Sequence, residues 1–270
     1  MPETERMMEV LALKPIGVIG GSGMYEMLES PRMFIHDNQY GRSSEIYEGK
    51  LKGRTIYFLP RHGPNHTVIV PRINYRANVW ALHELGCERI LATNSVGSLN
   101  PNIRIGDMVI PHDFINTTCR FPRSFYDDMP AAYHVDMKPA YCPDIRKALI
   151  EASRKVHQGT THDRAVIVVE EGLAYNTEAE QRVFVQWGAD LVGMTTLPEA
   201  ILAREAGMCY AHICMPTDCI GQPVETDVFQ KHLKKGVEDF IQIISLAVEQ
   251  LPDERDCVCA HALDHALLAK

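Results

Sequence analysis

Short apolar runs alternate with amphipathic stretches along this chain, and the clearest example lies in its last third. The apolar runs at 189–194 and 208–215 each have the length of a buried strand. Between them, Pro198 and Glu199 suit the first turn of a helix, and Gly207 suits its C-terminal end. The pattern therefore predicts a strand, a helix and a second strand in quick succession, which is typical of an α/β fold.

Polar side chains follow both of these predicted strands. Thr195 and Thr196 come after the first, and Thr217 and Asp218 come after the second. Open α/β sheets bind ligands at the ends of their strands, so these hydroxyls and this carboxylate indicate a binding site. The same threonines can instead satisfy the backbone of ordinary turns, and this stretch by itself leaves both interpretations open.

The same periodicities predict the remaining elements. Asn74 is expected to cap one helix and Gly86 to end it. The others are, in chain order, a strand at 15–20, a hairpin at 45–60, a helix at 74–85, strands at 89–92 and 107–115, a helix at 144–156, a strand at 165–169, helices at 178–187 and 227–250, and a short tail helix at 260–268.

Composition narrows the class of protein. A chain of 270 residues with 46% hydrophobic and 23% charged residues can bury the core of one large domain. A net charge of −8 argues against nucleic acid as a partner, and no apolar run approaches the length of a membrane span. We expect a cytoplasmic protein of one domain over 1–270, with an N-terminal extension at 1–14 and a tail at 252–270.

Eight cysteines are many for a cytoplasmic chain. None is spaced as CxxC and no matching histidine pair accompanies them, so the spacing predicts no zinc site. Cys257 and Cys259 form a CxC pair near the C-terminus. This pair is either two surface thiols or a disulfide that stabilises the tail, and the residues themselves leave both interpretations open.

Groups that bind anions follow several predicted strands. A glycine-rich turn with Ser22 in it follows the first strand, and such turns direct backbone N–H groups at anions. The second strand of the hairpin runs into Arg61, His62 and, further on, His66. A guanidinium group binds phosphate through two parallel hydrogen bonds, so Arg61 is the stronger signal. Asn94 and Ser95 follow the next strand.

An ordered set of motifs resembles the methylthioadenosine phosphorylase branch of the purine nucleoside phosphorylase family. The resemblance covers the chain from about Pro15 onward. It implies an α/β fold with a mixed, partly barrel-like sheet, assembly as a homotrimer or a dimer of trimers, inorganic phosphate as co-substrate, and neither metal nor organic cofactor. The motifs are GVIGGSGM at 17–24, PRHG at 60–63, NYRAN at 74–78, NSVGS at 94–98, GMTTLPE at 193–199 and TD at 217–218.

The resemblance also implies roles for individual residues, which fall into two groups. Residues around phosphate would be Ser22, Arg61, His62, Asn94, Ser95 and Thr195. Residues around the nucleoside would be Met194, Tyr175, Thr217, Asp218, Ile220, His66 and, from a neighbouring subunit, His134.

The chemistry of N-glycosidic cleavage requires such a set. Positive charge develops on the sugar and negative charge on the purine, so phosphate can stabilise the sugar and also attack it. The purine leaves more readily when its five-membered ring is protonated. Asp218 is the candidate catalytic acid, because a carboxyl group among apolar neighbours has a raised pKa.

Two departures from the family pattern fall on the base side of the site. The stretch 171–178 has Ala174 and Glu178 where the family has basic residues, and Ile220 stands where the adenine-preferring branch has a second aspartate. Members that prefer 6-oxopurines carry asparagine at the position of Asp218. The resemblance therefore implies phosphorolysis of methylthioadenosine, with three alternatives: a broader purine nucleoside or methylthioinosine phosphorylase, a nucleoside hydrolase, and a binding protein with weakened turnover.

Overall fold

The computed structural model describes residues 13–21, 24–119, 124–127, 132–221 and 226–269. Ser22 and the predicted N-terminal extension, apart from its last two residues, lie outside this part of the chain. The fold is α/β, as predicted, with a large mixed sheet and flanking helices.

Within the described residues, eleven strands form the main sheet and two form a separate small one. The strands are β1 (Ile16–Gly20), β2 (Glu29–Asn38), β3 (Gly41–Leu51), β4 (Arg54–Pro60), β5 (Arg89–Ser98), β6 (Met108–Val109), β7 (Asp113–Asn116), β8 (Ala132–Tyr133), β9 (Thr161–His162), β10 (Val166–Val169), β11 (Leu191–Gly193), β12 (Cys209–Cys219) and β13 (Leu267–Ala269).

The strand β5 is the centre of the main sheet. The order is β2-β3-β4-β1-β5-β11-β10-β7, and β12 pairs with β5 and with β6, which in turn pairs with β9. Strands β1 and β12 run parallel to β5, whereas β11 runs antiparallel to it. Strands β1 and β5 are almost continuously buried, as expected for parallel strands covered on both faces.

Five described helices flank the sheet: α1 (Tyr75–Glu84), α2 (Pro143–Val156), α3 (Glu178–Gln186), α4 (Thr196–Glu205) and α5 (Thr226–Gln250). The predicted cap at Asn74 is confirmed, because its side chain accepts a hydrogen bond of 3.1 Å from the backbone N–H of Ala77. Among the described helices, none combines the length and the hydropathy needed to cross a membrane.

Three predicted strands differ clearly from the structure. The strand expected at 208–215 continues to Cys219, so Thr217 and Asp218 lie within β12 and not after it. The strand expected at 89–92 continues to Ser98, because β12 and β11 extend its hydrogen-bonded ladder beyond the apolar run. Asn94 and Ser95 therefore lie within a strand and not in a turn. The strand expected at 107–115 is divided into β6 and β7, which pair with different neighbours.

The tail also differs from the prediction. The sequence pattern predicts a helix at 260–268, but the structure has a 3-10 helix at Val258–His261 followed by β13. Strand β13 pairs with β8, where Leu267 is opposite Tyr133. Pairing with a segment distant in sequence thus overrides the local helical pattern of the tail.

Candidate active site

The carboxyl ends of β1, β4 and β5 bring the predicted anion-binding residues to one edge of the sheet. Gly20 at the end of β1 is level with Pro60 at the end of β4, and the backbone N–H of Arg61 donates to the Gly20 carbonyl at 3.3 Å. In β5, Ala92 is opposite Ile19, so Asn94 follows directly at the same edge. This convergence is the arrangement that an open α/β sheet uses to bind ligands.

Arg61 is buried and forms an ion pair with Glu199 of α4. Its Nε and Nη2 atoms donate to the Glu199 carboxylate at 2.6 and 3.1 Å, and Tyr210 donates to the same carboxylate at 2.7 Å. Burial alone would lower the pKa of Arg61. The Glu199 carboxylate, with smaller contributions from Tyr210 and Tyr75, more than offsets this effect, so the net shift of the pKa is upward. The guanidinium is therefore a fixed positive charge.

The two-pronged contact with phosphate expected for Arg61 is not available in this arrangement. Glu199 occupies the edge formed by Nε and Nη2, while Nη1 donates to the Thr93 carbonyl at 2.9 Å and Nη2 to the Ile19 carbonyl at 3.4 Å. Within the described part of the chain, one hydrogen of Nη1 is left for an anion. Arg61 therefore holds the ends of β1, β5 and α4 together, and its positive charge is paired with the Glu199 carboxylate.

A chain of hydrogen bonds orients the Thr195 hydroxyl. His212 of β12 lies 3.2 Å from the side-chain oxygen of Asn94, and the Asn94 amide donates to Thr195 Oγ1 at 2.8 Å. Because Thr195 Oγ1 accepts this bond, its own hydrogen is free to donate elsewhere. All three side chains are buried, and the pKa of His212 is lowered to about 3 by burial and by Arg61. His212 is therefore neutral at physiological pH.

His62 and His66 form a stacked pair beside Arg61. Their ring centroids are 4.2 Å apart, and His62 Nδ1 lies 2.8 Å from the Val68 carbonyl. A carbonyl only accepts, so Nδ1 carries the proton and the neutral ring presents Nε2 as an acceptor. Burial and the Arg61 charge lower the pKa of His62 to about 4, and the same two causes lower the pKa of His66.

Asp218 lies at the other end of the site, next to Gly97 of β5. The two residues are opposite each other, and the pairing of β12 with β5 is irregular between Pro216 and Asp218. Burial raises the pKa of Asp218, while a hydrogen bond from the Thr217 hydroxyl, at 3.3 Å, opposes this shift. Asp218 is thus a carboxyl group that holds its proton more tightly than an exposed aspartate.

The register of β5 sets the length of the site. Asn94 is three residues before Gly97, which corresponds to about 10 Å along a strand. On the other side of β5, Val192 of the antiparallel strand β11 is opposite Gly97. Because β11 is antiparallel to β5, the chain after Val192 continues toward Asn94, whose side chain donates to Thr195. Met194 therefore lies in the chain between the residue opposite Gly97 and the residue bonded to Asn94.

The loop after β10 contains buried acidic residues and an exposed tyrosine. Glu171 is buried and accepts a hydrogen bond from the backbone N–H of Cys119, and Asn176 donates to Glu170, whose pKa is raised by burial. Tyr175, by contrast, is 64% exposed. The predicted stacking of Tyr175 on a purine is therefore not preformed in this arrangement.

Three further predicted site residues differ in how exposed they are and in what they contact. Ser95 is exposed at the edge that holds Asn94. Ile220 packs against a small apolar cluster that includes Leu99 and Phe184, so its side chain has a structural role whatever else it contacts. His134 is exposed, and its backbone N–H donates to the Ala266 carbonyl at 2.8 Å.

The sequence prediction missed two buried residues of the site. The sequence pattern places Glu199 at the start of a helix and His212 in an apolar strand, and it predicts no site role for either. A signal existed in each case, because charged or ionisable side chains within buried segments need partners. Their partners, Arg61 and Asn94, are more than a hundred residues away, at separations of 138 and 118.

Known proteins resemble this chain over nearly its whole length. Residues 15–249 match the model of the Phosphorylase superfamily. A probable S-methyl-5′-thioinosine phosphorylase of Methanothermobacter thermautotrophicus is 44% identical over 92% of this chain and 88% of its own length. An S-methyl-5′-thioadenosine phosphorylase of Pyrococcus horikoshii is 40% identical over 92% of this chain and 97% of its own length.

A solved structure agrees with these similarities. The methylthioadenosine phosphorylase from an antarctic soil metagenomic library superposes with a TM-score of 0.90 at 36% identity, covering 95% of this chain and 93% of its own. The family implied by the motifs is thereby confirmed. The chain belongs to the phosphorylase superfamily, in the branch that contains the methylthioadenosine phosphorylases.

Proposed function

We propose that this protein cleaves 5′-methylthioadenosine with inorganic phosphate, releasing adenine and 5-methylthioribose 1-phosphate. The observation that carries the proposal is the spacing along β5. Asp218, a carboxyl group with a raised pKa, is opposite Gly97, and Gly97 lies three residues, or about 10 Å along the strand, beyond Asn94, whose side chain bonds to Thr195. This distance suits a nucleoside whose base is at one end and whose anomeric carbon faces an anion at the other.

In the proposed reaction, a phosphate oxygen forms a bond to the anomeric carbon while the bond to the purine nitrogen breaks. The bonding electrons leave with the purine, and Asp218 transfers its proton to the five-membered ring of the base. Arg61 supplies a fixed positive charge near the attacking phosphate, and the hydroxyl of Thr195 donates to it. Ser22, Asn94 and Ser95 complete the proposed phosphate site.

In the proposed site, His62 accepts a hydrogen bond from phosphate. Its neutral ring donates the Nδ1 proton to the Val68 carbonyl, so Nε2 is the acceptor. Monohydrogen phosphate has one hydroxyl that can donate to this atom. His62 therefore favours a form of phosphate that still carries a proton, and it adds no further charge to the site.

A second candidate substrate is methylthioinosine. Ile220 packs against an apolar cluster and offers no acceptor to a 6-amino group, whereas Asp218 can donate to the purine ring whether the base is amino- or oxo-substituted. The relative from Methanothermobacter thermautotrophicus, at 44% identity, is named a probable S-methyl-5′-thioinosine phosphorylase. We therefore propose 6-aminopurine preference with a reduced margin over the 6-oxo substrate.

The proposed reaction also has consequences for the co-substrate, the cellular location and the oligomeric state. Inorganic phosphate is the co-substrate, and no organic cofactor is required for the steps described. We place the enzyme in the cytoplasm, in keeping with its eight unpaired cysteines. We also propose assembly as a homotrimer or a dimer of trimers, in which His134, which is exposed in the single chain, reaches the nucleoside bound by a neighbouring subunit.

The experiment is to follow purine release from methylthioadenosine and methylthioinosine, with and without phosphate, and to identify the sugar product. Phosphorolysis predicts release that requires phosphate and yields the sugar 1-phosphate. Phosphate-independent release of free methylthioribose would show a hydrolase. Tight binding without release of base, measured by calorimetry, would show a binding protein.

A further inference from the structure

Four cysteines outside the active site form a compact buried cluster. They are Cys142, Cys209, Cys257 and Cys259, and all four sulfur atoms lie within 4.8 Å of one another. The Sγ atoms of Cys142 and Cys257 are 3.8 Å apart, and those of Cys209 and Cys257 are 3.2 Å apart. No active-site chemistry described above uses them.

The cluster has the dimensions of a tetrahedral thiolate site. A zinc–sulfur bond of about 2.3 Å gives sulfur atoms about 3.8 Å apart at the corners of a tetrahedron. The Cys142–Cys257 separation of 3.8 Å equals this value, that of Cys209 and Cys257 is 3.2 Å, and none exceeds 4.8 Å. They exceed the bond length of a disulfide, which is about 2.05 Å. Each sulfur atom has the other three within 4.8 Å. A tetrahedral metal centre requires such an arrangement, whereas isolated thiols do not.

Three separate segments supply the four ligands. Cys142 precedes α2, Cys209 begins β12, and the CxC pair stands at the start of the 3-10 helix in the tail. The segments that carry Cys142 and Cys209 are joined directly, since the backbone N–H of Cys142 donates to the Tyr210 carbonyl at 2.8 Å. The absence of CxxC spacing, from which the sequence predicted no zinc, is therefore no argument against a site whose ligands come from distant segments.

We propose that these four cysteines bind one structural Zn²⁺ ion, which fastens the C-terminal tail to the body of the enzyme. Zinc favours four thiolate ligands in closed, buried sites, and it needs no redox partner. Binding would displace the thiol protons and leave a centre with a charge of −2. The guanidinium of Arg255 lies 4.0 Å from Cys209 Sγ and partly balances that charge.

The proposed site has a structural consequence at a distance. Beyond the cluster, the tail continues into β13, which pairs with β8, and the Ala266 carbonyl accepts from the backbone N–H of His134. Before the cluster, Asp253 pairs with Arg54 at 2.6 Å. Zinc between these contacts would anchor the middle of the tail and so hold the segment that carries His134.

The test is the metal content of the full-length protein, purified under reducing conditions without chelator. We expect about one zinc per chain in the parent and a loss of at least tenfold in Cys257→Ser. The matched control is Cys87→Ser, which alters another buried cysteine that stands outside the cluster and should keep its zinc. A parent without zinc, or a Cys257→Ser variant with full zinc, would overturn the proposal.

A measurement on the parent protein guards against a variant that fails to fold. Cobalt exchanged for zinc should produce the visible and near-ultraviolet bands of tetrahedral thiolate coordination. Titration with a mercurial reagent should release zinc in step with reaction of the cluster thiols. Cobalt bands of octahedral type, or two disulfides among these four cysteines in protein kept reduced, would contradict it. None of these readouts depends on enzymatic activity, so the outcome is separate from that of the proposed reaction.

Discussion

A Cβ atom placed on Gly97 would lie 2.9 Å from Oδ2 of Asp218, so these two residues can occupy their positions only if residue 97 lacks a side chain. The same Cβ would also lie 2.9 Å from Val192 on the opposite flank of β5. Gly97 therefore sets the position of the proposed catalytic acid by leaving room for its carboxyl group.

The first prediction concerns this contact. In Gly97→Ala, the carboxyl group at the end of the Asp218 side chain should move, because it yields more easily than the backbone. We expect kcat for methylthioadenosine to fall about 100-fold, since general acid catalysis contributes about 10²–10⁴. The control is Gly17→Ala, whose new Cβ would lie 2.9 Å from Leu82 in the core. That variant should lose stability and keep kcat; equal kcat values in the two variants would contradict the prediction.

The second prediction is a pH profile. Asp218 acts as an acid only when protonated, so kcat/KM should fall as the pH rises through its folded-state pKa. The Thr217 hydrogen bond lowers that pKa, so its removal in Thr217→Val should raise the pKa and shift the alkaline limb to higher pH. Thr217→Ser keeps the hydroxyl and should keep the parent profile. A limb that stays in place in Thr217→Val would show that another group titrates.

The third prediction separates the two contributions of Arg61. Arg61→Ala should raise KM for phosphate strongly, and it should also lower the free energy of unfolding by about 3–5 kcal/mol, because Glu199 is left buried without its partner. The double variant Arg61→Ala with Glu199→Gln removes the unpaired charge. It should recover stability in denaturant titrations without recovering phosphate affinity. If phosphate dependence stayed at the parent level in both variants, Arg61 would have no part in the phosphate site.

The fourth prediction concerns Ile220. Ile220→Asp should widen the preference for methylthioadenosine over methylthioinosine by about 10- to 100-fold, since a hydrogen bond to a charged acceptor is worth about 1.5–3 kcal/mol. It should also lower stability, because the carboxylate replaces a side chain that packs against the apolar cluster containing Leu99 and Phe184. Ile220→Val keeps the apolar contact and serves as the control. A lower stability with an unchanged ratio of kcat/KM would mean that residue 220 does not face the base.

The fifth prediction is the effect of acid on stability. The pKa of His62 is about 4 and that of His212 about 3, both below the value of 6.5 for the free side chain. The unfolded chain therefore binds more protons than the folded one in this range, so the free energy of unfolding should decrease as the pH falls below 6.5 and through 4.

Substitution tests the part of this pH effect that comes from His62. His62→Asn keeps a donor for the Val68 carbonyl but has no titrating ring. Its melting temperature should depend less on pH between 6.5 and 4 than that of the parent. Identical slopes in the two proteins would indicate that His62 does not contribute.

The sequence by itself determined those features whose signals are local. Asn74 caps α1 because a side chain three residues from its partner needs no tertiary structure to reach it. The apolar runs that became β1, β10 and β12 identified the buried strands, and the polar residues near their ends predicted the edge at which we propose that ligands bind. The order of motifs along the chain was sufficient to identify the family, which the similar proteins confirm.

Only the tertiary structure decided which residues meet across the chain. The partner of Arg61 is 138 residues away, and local spacing carries no information about a pair that depends on how β4 and α4 pack. The same reason applies to the cysteine cluster, whose members come from three segments, and to the extension of β5 to Ser98 by its neighbours. In each case long-range contacts outweigh the local preference, because burial and strand pairing contribute more free energy than the propensity of a short segment.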